Sequence, residues 1–399
     1  MNEPPTSVPV PAEVMEILRT LEAAGHETWC VGGAIRDALV GDPQQDVDLA
    51  TSALPEQVRS LFRRTIPVGI EHGTVGVLDG KGVLHEVTTF RADVRTDGRR
   101  AEVTFGVSLE ADLARRDFTI NAMAWHPLRG EWRDPFGGRA DLETGIVRAV
   151  GDAELRFRED RLRILRALRF AARFGFVIEP DTWRAVQNQG ADTGHLSAER
   201  VREEWWKGMQ TAADPTALMA LWQASGVAAV WLPAPEDATG ELAPVPVAAA
   251  LGPRDPLLLL AHWRSPVAAH LQRLKCSAAE VRRGQLIDRG PRRPVDPSAI
   301  AVRRWMSVVG EAADDLVTLA RWQQRDPDHW TDEVTAVRGR CEATSRGQLA
   351  LTGDDLIAAG VALPGPELGR LLGWLLDAVL EEPEQNSREG LLDLIRSRG

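Results

Sequence analysis

The sequence predicts an α+β protein, in which a small α/β region is followed by an all-α remainder. Short β-like runs separated by Gly-rich turns occupy the chain from Thr28 to about Val150. Segments of helical periodicity follow from Gly151 onward, with almost no strand signal among them. At 399 residues the chain is also longer than one ordinary domain. We therefore expect a mixed N-terminal domain and several helical domains after it.

The N-terminal region alternates strand-like and helix-like segments. The strand-like runs cover residues 28–31, 73–78, 83–89, 102–105 and 146–149. Two helical segments, 34–40 and 55–62, lie between them. This alternation indicates an α/β domain at residues 1–150.

The remainder of the chain reads as helix. The most regular segments are 153–174, 197–210 and 215–225. Proline-rich breaks at 232–256 and 290–297 interrupt them. We predict domain boundaries that give three helical parts, 151–232, 233–330 and 331–399.

Composition excludes several classes of protein. The chain is 44% apolar and 26% charged, which is typical of a folded protein and not of a disordered one. It has no uninterrupted apolar run long enough for a membrane helix and no basic-apolar leader pattern. Its three cysteines, Cys30, Cys276 and Cys341, are scattered and suit neither a disulfide framework nor a CxxC metal site. These features predict a cytoplasmic protein with no membrane partner.

A pair of glycines between a strand and a helix forms the first candidate site. Gly32 and Gly33 lack a Cβ, so backbone N–H groups and the positive end of the helix can face an anion such as a triphosphate. Arg36, one turn into the helix, could hold phosphate oxygens in a bidentate manner. By itself the pair is more typical of an ordinary tight turn.

Two aspartates two positions apart form the second candidate site. On a strand, Asp46 and Asp48 would project to the same side, where their carboxylates repel unless a divalent cation lies between them. Hard oxygen ligands suit Mg²⁺, and such a site can support in-line nucleotidyl transfer. A solvated strand end is the alternative. Glu86 is placed to supply a third catalytic carboxylate, although Glu71 competes for that role.

Adjacent arginines form the third candidate site. Arg115 and Arg116 precede Asp117 and a helix-like run, and Arg116 is the candidate nucleotide contact. An ion pair between Arg116 and a nearby acid such as Asp117 is the alternative. Farther on, the Gly/Pro turn at 134–138 together with Asp141 is typical of a joint between domains.

A charged stripe marks the helix predicted at 156–176. Asp160, Arg163, Arg166 and Arg169 recur every third residue opposite an apolar face. Asp160 and Arg163 offer one acceptor and one forked donor, as the Watson–Crick edge of cytosine or adenine requires, whereas the carboxylate opposes the carbonyl of uracil or guanine. The alternative is a surface ion pair between Asp160 and Arg163.

With these motifs the chain resembles the bacterial-type (class II) tRNA nucleotidyltransferase and poly(A) polymerase family of the DNA polymerase β superfamily. Motifs in family order are GGAIRD, DVD, EVTTFRADVRTDGRRAEVTF, ARRDFTINAM, DPFGGRADLETGIVRAVG and EDRLRILRALRFAARFGF, and LTGDDLIAAG near the C-terminus resembles the family's tail. The resemblance implies a polymerase-β-type nucleotidyltransferase head at 1–150, a helical neck at 151–232, a body at 233–330 and a tail at 331–399.

The resemblance also implies roles for the candidate residues. Asp46 and Asp48 would be Mg²⁺ ligands, with Gly33 and Arg36 on the triphosphate and Arg116 on the nucleotide. In the neck, base selection without a nucleic-acid template would involve Asp160, Arg163, Arg166 and Arg169. Body and tail would bind the acceptor arm and 3′ end of tRNA. A cationic series from Arg273 to Arg304 on this acidic chain of net charge −11 is the patch expected for phosphate binding, with a merely solvated face as the alternative.

Two features narrow the expected activity. Many relatives carry an HD phosphohydrolase domain, but here His262 is followed by Trp263, so we expect no phosphohydrolase activity. The loop at 92–102 is full length, unlike in CC-adding members, although it also reads as a polar hairpin with Asp97 and Gly98 at its tip. The predicted function is CCA addition from CTP and ATP. The alternatives are an A-adding or CC-adding enzyme, a poly(A) polymerase, or a non-catalytic RNA-binding protein on a degenerate head, which would have lost its DxD.

Overall fold

The computed structural model describes residues 7–42, 46–96, 101–234, 254–323 and 325–398. The chain divides into two compact units, Met1–Pro233 and Ala234–Gly399. The first unit spans the predicted head and neck, and the second spans the predicted body and tail. The predicted boundaries at 150 and 330 stay predictions.

A seven-stranded mixed sheet organises the first unit, with strand order β3-β4-β5-β2-β1-β8-β9. Its strands are β1 (Thr28–Val31), β2 (Asp48–Thr51), β3 (Thr65–Gly69), β4 (Thr74–Leu78), β5 (Leu84–Thr89), β8 (Ala124–His126) and β9 (Glu131–Arg133). Separate two-stranded pairs are formed by β6 (Arg91–Thr96) with β7 (Ala101–Phe105), and by β10 (Ile146–Val147) with β11 (Val177–Ile178).

The pairing of the central strands places the aspartate motif. Strands β1 and β2 are antiparallel, with Val31 opposite Asp48, whereas β2 and β5 are parallel, with Leu49 beside Val87. The turn after β1, the start of β2 and Glu86 in β5 therefore meet at one edge of the sheet. An apolar core below it, which includes Trp29, fixes this edge.

Helices flank the sheet and then replace it. Those among the strands are α1 (Ala12–Ala23), α2 (Gly33–Leu39), α3 (Pro55–Leu61), α4 (Leu109–Ala114) and α5 (Gly138–Thr144). Those that follow are α6 (Ala153–Glu159), α7 (Leu162–Phe174), α8 (Pro180–Gln189), α9 (Ala198–Thr211), α10 (Pro215–Ala224) and α11 (Val227–Trp231). Helix α7 buries its apolar face, and Trp205 meets Trp222 edge to face at 5.0 Å.

The second unit is helical throughout its described residues. Its helices are α12 (Pro256–Trp263), α13 (Val267–Arg273), α14 (Ala278–Arg289), α15 (Ala299–Val309), α16 (Ala313–Trp322), α17 (Trp330–Gly339), α18 (Gly353–Ala358), α19 (Pro366–Glu381) and α20 (Arg388–Arg398). Among the described helices, none has the length and apolar character needed to cross a bilayer.

Some arginines of the predicted cationic series (Arg273 to Arg304) stabilise the fold of this second unit. Arg303 is buried, where it donates to the carbonyls of Leu380 and Glu381 and to the Glu342 carboxylate. Arg283 forms ion pairs with Asp255 and Asp315. Buried arginines that satisfy backbone carbonyls hold helices together, so Arg303 does not belong to the solvent-facing part of the cationic series.

The predicted α+β class is confirmed, with two errors of detail. The helix predicted as continuous over 153–174 is interrupted at Asp160, whose backbone is extended at φ −148° and ψ 107°. The helix-like run predicted after Asp117 is wrong, because a single 3₁₀ turn (Thr119–Asn121) leads directly into β8. The predicted hairpin at 92–102 has its strands in β6 and β7, while its tip at Asp97 and Gly98 lies outside the described residues.

Candidate active site

A cleft of 690 Å³ in the first unit collects most of the predicted site residues. Its walls come from the turn after β1, the starts of β2 and α7, strand β5, and helix α9. Ten of the predicted residues line it: Gly32, Gly33, Arg36, Asp48, Glu86, Arg116, Asp160, Arg163, Arg166 and Arg169. The eleventh, Asp46, does not line the cleft but is close enough to raise the pKa of Asp48. Residues as far apart in sequence as Gly32 and Arg169 thus face one space.

The carboxylates at the sheet edge crowd one another. Burial and the nearby charges of Glu86 and Asp46 raise the pKa of Asp48 to about 6, against an opposing effect of Arg116. Glu71 is exposed on a 3₁₀ turn and does not line the cleft, so the geometry favours Glu86 as the third carboxylate. Like charges held this close favour a bound cation.

The chemistry of these donors fits Mg²⁺. Within the described ranges, no three His, Cys, Asp or Glu side chains form a complete metal cage. Mg²⁺ is commonly bound by one or two carboxylates together with substrate phosphates and water, so Asp46 and Asp48 would suffice as its protein ligands. The donor set therefore suits a metal that is shared with a nucleotide.

Gly32 lies where no other residue fits without strain. Its φ of +82° belongs to the left-handed side of the Ramachandran map, which non-glycine residues rarely adopt. A Cβ at this position would lie 3.2 Å from Oδ2 of Asp48 and 3.6 Å from Nη1 of Arg116. Gly32 thus allows an acidic and a basic group to approach the backbone from β2 and from the segment after α4.

Arg36 is held firmly at the cleft. It is 4% exposed and donates to Oδ1 of Asp37 at 2.8 Å and to Oδ1 of Asn121 at 2.5 Å. Its guanidinium also lies over the ring of Phe170, 4.7 Å from the centroid, and burial lowers its pKa. A guanidinium fixed in this manner presents its remaining donors to the cleft in one orientation.

Arg116 has a different partner from the one weighed in the sequence. It donates to Oδ2 of Asp112 at 3.2 Å and to the carbonyl of Asn121 at 3.3 Å. The alternative of an ion pair with a nearby acid is therefore realised, with Asp112 as the partner and not Asp117, which faces the neck helix α7. Asp134, at the Gly/Pro turn, accepts from the backbone N–H groups of Gly138 and Arg139 and so fixes the start of α5.

Buried acids anchor the next two arginines of the stripe. Asp117 accepts from Nε of Arg166 at 2.7 Å and from the amide of Asn121. Burial raises the pKa of Asp117, but Arg166 and the hydrogen bonds outweigh it, and the net pKa is lowered. Glu204 on α9 accepts from Nε of Arg169 at 2.5 Å. Both guanidiniums are therefore oriented in the absence of any ligand.

Asp160 and Arg163 are both in the cleft, but they are not paired with each other. Oδ2 of Asp160 accepts from Nη2 of Arg200 at 2.7 Å. Arg163 donates to Glu159 at 3.0 Å and to the carbonyl of Arg115 at 3.1 Å. The alternative of an ion pair between Asp160 and Arg163 is wrong, since the helix break at Asp160 takes its side chain off the face of α7.

Several residues of the cleft escaped the sequence analysis. They are Arg91, Asn121, Arg173, Arg200 and Lys207. Arg91, Asn121 and Arg173 lie within motifs that carry the family resemblance, but nothing in the sequence assigned them a role. Arg200 and Lys207 lie on α9, whose sequence is that of an ordinary amphipathic helix. Only the tertiary packing of α9 against α7 brings them to the cleft.

Comparison with known proteins identifies the family. The Poly A polymerase head domain family matches residues 28–148, and the family described as "Probable RNA and SrmB- binding site of polymerase A" matches residues 175–238. A CCA-adding enzyme of Lactiplantibacillus plantarum is 35% identical over 95% of this chain and 94% of its own length. The chain belongs to the CCA-adding enzyme family. It is accordingly a nucleotidyltransferase.

Solved structures of CCA-adding enzymes share the fold of this chain. The Bacillus stearothermophilus CCA-adding enzyme in complex with CTP is 32% identical, with a TM-score of 0.74 over 97% of this chain and 98% of that one. The Thermotoga maritima CCA-adding enzyme complexed with tRNA-CCA shows the same fold at 19% identity, with a TM-score of 0.69 over 98% of this chain and 97% of that one. The similarity therefore extends through the second unit, beyond the head.

Proposed function

We propose that this CCA-adding enzyme extends the 3′ end of tRNA with CTP and ATP, without a nucleic-acid template, and releases pyrophosphate. One observation carries the proposal: Asp48 and Glu86, from the sheet, line the same cleft as Asp160 and Arg163, from the neck. Such a cleft can hold a nucleoside triphosphate with its phosphates at the carboxylates and its base at the neck helix. The family membership supplies the substrate class.

The phosphate end of the cleft would hold Mg²⁺. Asp46 and Asp48 are its proposed ligands, and Glu86 a third catalytic carboxylate. When bound, Mg²⁺ would lower the pKa of the attacking 3′ hydroxyl and neutralise the departing pyrophosphate. Gly32 and Gly33 leave room for phosphate oxygens at the start of α2, while Arg36 and Arg116 supply positive charge to the nucleotide.

The base end of the cleft would select the nucleotide. A carboxylate at Asp160 accepts from the exocyclic amine that cytosine and adenine share, and it opposes the carbonyl of uracil or guanine. Arg163 donates to ring acceptors, and the proposed support comes from Arg166 and Arg169, which Asp117 and Glu204 hold in place. This arrangement accounts for a single site that takes both CTP and ATP.

The proposal extends to the rest of the chain. The body and tail, predicted at 233–330 and 331–399, would bind the acceptor arm, and the protein would act in the cytoplasm. Exposed members of the cationic series, such as Arg289 and Arg293, are better placed to meet RNA phosphates than the buried Arg303.

Three tRNA transcripts test the activity, ending at the discriminator base, at C and at CC. Each is incubated with Mg²⁺ and one nucleotide at a time. We expect CTP to extend the first two and ATP to extend only the third, with synthesis stopping at CCA. Addition of A alone would identify an A-adding enzyme, addition of C alone a CC-adding enzyme, and long oligo(A) tracts a poly(A) polymerase. No incorporation with intact tRNA binding would support a non-catalytic RNA-binding protein.

A further inference from the structure

Arg200 reaches the base end of the cleft from outside every motif that predicted the site. It lies in the first turn of α9 and donates through Nη2 to Oδ2 of Asp160 at 2.7 Å. Both side chains are partly exposed, Arg200 by 33% and Asp160 by 25%, so they remain accessible from the cleft. A charged hydrogen bond of this length is strong and directional.

A second bond completes the hold on Asp160. Its other oxygen, Oδ1, accepts from the backbone N–H of Leu162 at 3.0 Å, where α7 begins. With one hydrogen bond to each oxygen, the rotation of the carboxylate about χ2 is restricted. This torsion otherwise has a broad distribution. Each oxygen retains capacity to accept a further hydrogen bond.

Arg163, the proposed donor to the base, is anchored by elements other than α9. Arg163 is held by Glu159 and by the carbonyl of Arg115. Loss of Arg200 therefore leaves the anchors of Arg163 intact and removes one of the two bonds that orient Asp160. The two halves of the proposed base-reading pair can be perturbed separately.

We propose that Arg200 is a positioning residue for base selection, which acts by holding the Asp160 carboxylate in the orientation that accepts from the exocyclic amine of cytosine or adenine. The inference rests on the proposed function, because it presumes that Asp160 faces the base. A carboxylate free to rotate presents its oxygens less consistently to that amine. Discrimination against UTP and GTP falls, while the phosphate end of the cleft is untouched.

The test measures kcat/KM for CTP, ATP, UTP and GTP on the tRNA transcripts, with Arg200→Met as the main variant. We expect the ratio of kcat/KM for CTP to that for UTP to fall about tenfold, with tRNA affinity unchanged. Arg158→Met is the matched control: Arg158 lies on α6, close to Asp160 in sequence, is 63% exposed and pairs with Glu154 at 4.0 Å. It should leave the ratio unchanged.

Two further variants separate positioning from structural damage. Arg200→Lys keeps the charge without the planar fork and should restore part of the ratio. In an Asp160→Ala background, Arg200→Met should have no further effect on the ratio, because Arg200 acts through Asp160. Thermal unfolding of each variant reports whether the fold is intact.

The outcomes divide clearly. The inference about Arg200 would be overturned if folded Arg200→Met kept the wild-type ratio of kcat/KM for CTP to that for UTP. It would also be overturned if Arg200→Met lowered this ratio equally in the wild-type and Asp160→Ala backgrounds. Either result would leave CCA addition standing. If Asp160→Ala itself kept the wild-type preference, the proposed reading of the base by Asp160 would fall, and the inference with it.

Discussion

The two ends of the cleft are built on opposite principles. At the acidic end (Asp46, Asp48 and Glu86), like charges stand close together, and burial together with the charges of Glu86 and Asp46 raises the pKa of Asp48. At the basic end (Arg163, Arg166, Arg169 and Arg200), every guanidinium already has an acidic partner. The first is balanced only by a cation, whereas the second is oriented before a nucleotide arrives. Substitutions at the acidic end should therefore lower the rate of nucleotide addition, and substitutions at the basic end should lower stability or nucleotide selectivity.

The largest effect is expected from Asp48→Asn at the acidic end. Loss of a proposed Mg²⁺ ligand should lower kcat for nucleotide addition about 1000-fold or more. The melting temperature should not fall, because the amide removes a charge that Glu86 and Asp46 repel. Activity assays with differential scanning calorimetry check both.

A metal titration and a control sharpen this prediction. Mg²⁺ should raise the melting temperature of the wild type more than that of Asp48→Asn, since only the former retains the full ligand pair. Glu71→Gln removes an exposed acid outside the cleft and should change neither kcat nor the response to Mg²⁺. Wild-type activity in Asp48→Asn would refute the assignment of the acidic end.

At the basic end, Asp117→Asn should act first on stability. The substitution removes the buried carboxylate that pairs with Arg166 at 2.7 Å, although Arg166 itself is 34% exposed, and the free energy of unfolding should fall by about 2 kcal/mol. The exposed pair of Asp181 with Arg184 gives the control, because Asp181→Asn should cost less than about 0.5 kcal/mol. Urea titrations measure both. Equal losses in the two variants would contradict the difference between buried and exposed pairs.

The same variant predicts a pH dependence. The pKa of Asp117 is lowered below its ordinary value of 3.8, so the folded state holds the carboxylate ionised more tightly than the unfolded state does. Its contribution to stability is then fully present above pH 3.8 and is lost as the pH falls through the lower folded pKa. The stability difference between wild type and Asp117→Asn should therefore be constant from pH 5 to 7 and narrow below about pH 3.8. A difference that narrows already near neutral pH would contradict the lowered pKa.

Gly32→Ala should destabilise the protein less than Asp117→Asn does, and it tests the backbone position where Asp48 and Arg116 approach each other. Gly32 and Gly41 have nearly equal φ angles of +82° and +84°, so alanine at either should cost about 1 kcal/mol through backbone strain. At Gly41 a Cβ meets nothing within 4 Å, whereas at Gly32 it presses on Asp48 and Arg116. Only Gly32→Ala should lower nucleotide incorporation. Equal activity of the two variants would show that the close approach at Gly32 is not needed.

Sequence spacing brought Asp48 and Glu86 to one site, but Asp46 precedes β2 and does not line the cleft. The partners at the basic end were predicted only in part. The glycine turn and the aspartate pair depend on residues adjacent in the chain, and strand pairing then brings them together with Glu86. The antiparallel register of β1 with β2 was not evident from sequence, because β2 is a run of four residues that begins at Asp48. The strands β3, β8, β9 and β11 were not predicted, since short strands carry little periodic signal, whereas β6 was predicted only as one arm of the hairpin.

The partners of the arginines could not be predicted from local sequence. Helical periodicity placed Asp160 and Arg163 on one face and so suggested that they pair. The structure breaks the helix at Asp160 and gives it a partner 40 residues later in α9. Asp117 likewise pairs 49 residues away with Arg166 and not with its neighbour Arg116. These contacts depend on the packing of α9 against α7 and of the strand region against both, which no single motif encodes.

The interruption at Asp160 has a consequence for how nucleotide choice can change. Asp160, the proposed acceptor, is held from α9, whereas Arg163, the proposed donor, is held from α6 and from the peptide after α4. The two residues therefore cannot be replaced as a unit by changing one helix. An attempt to re-engineer the enzyme toward uracil or guanine by altering Asp160 alone would leave Arg200 facing an ill-matched neighbour. Successful redesign would have to alter positions in at least two distant stretches of the polypeptide together.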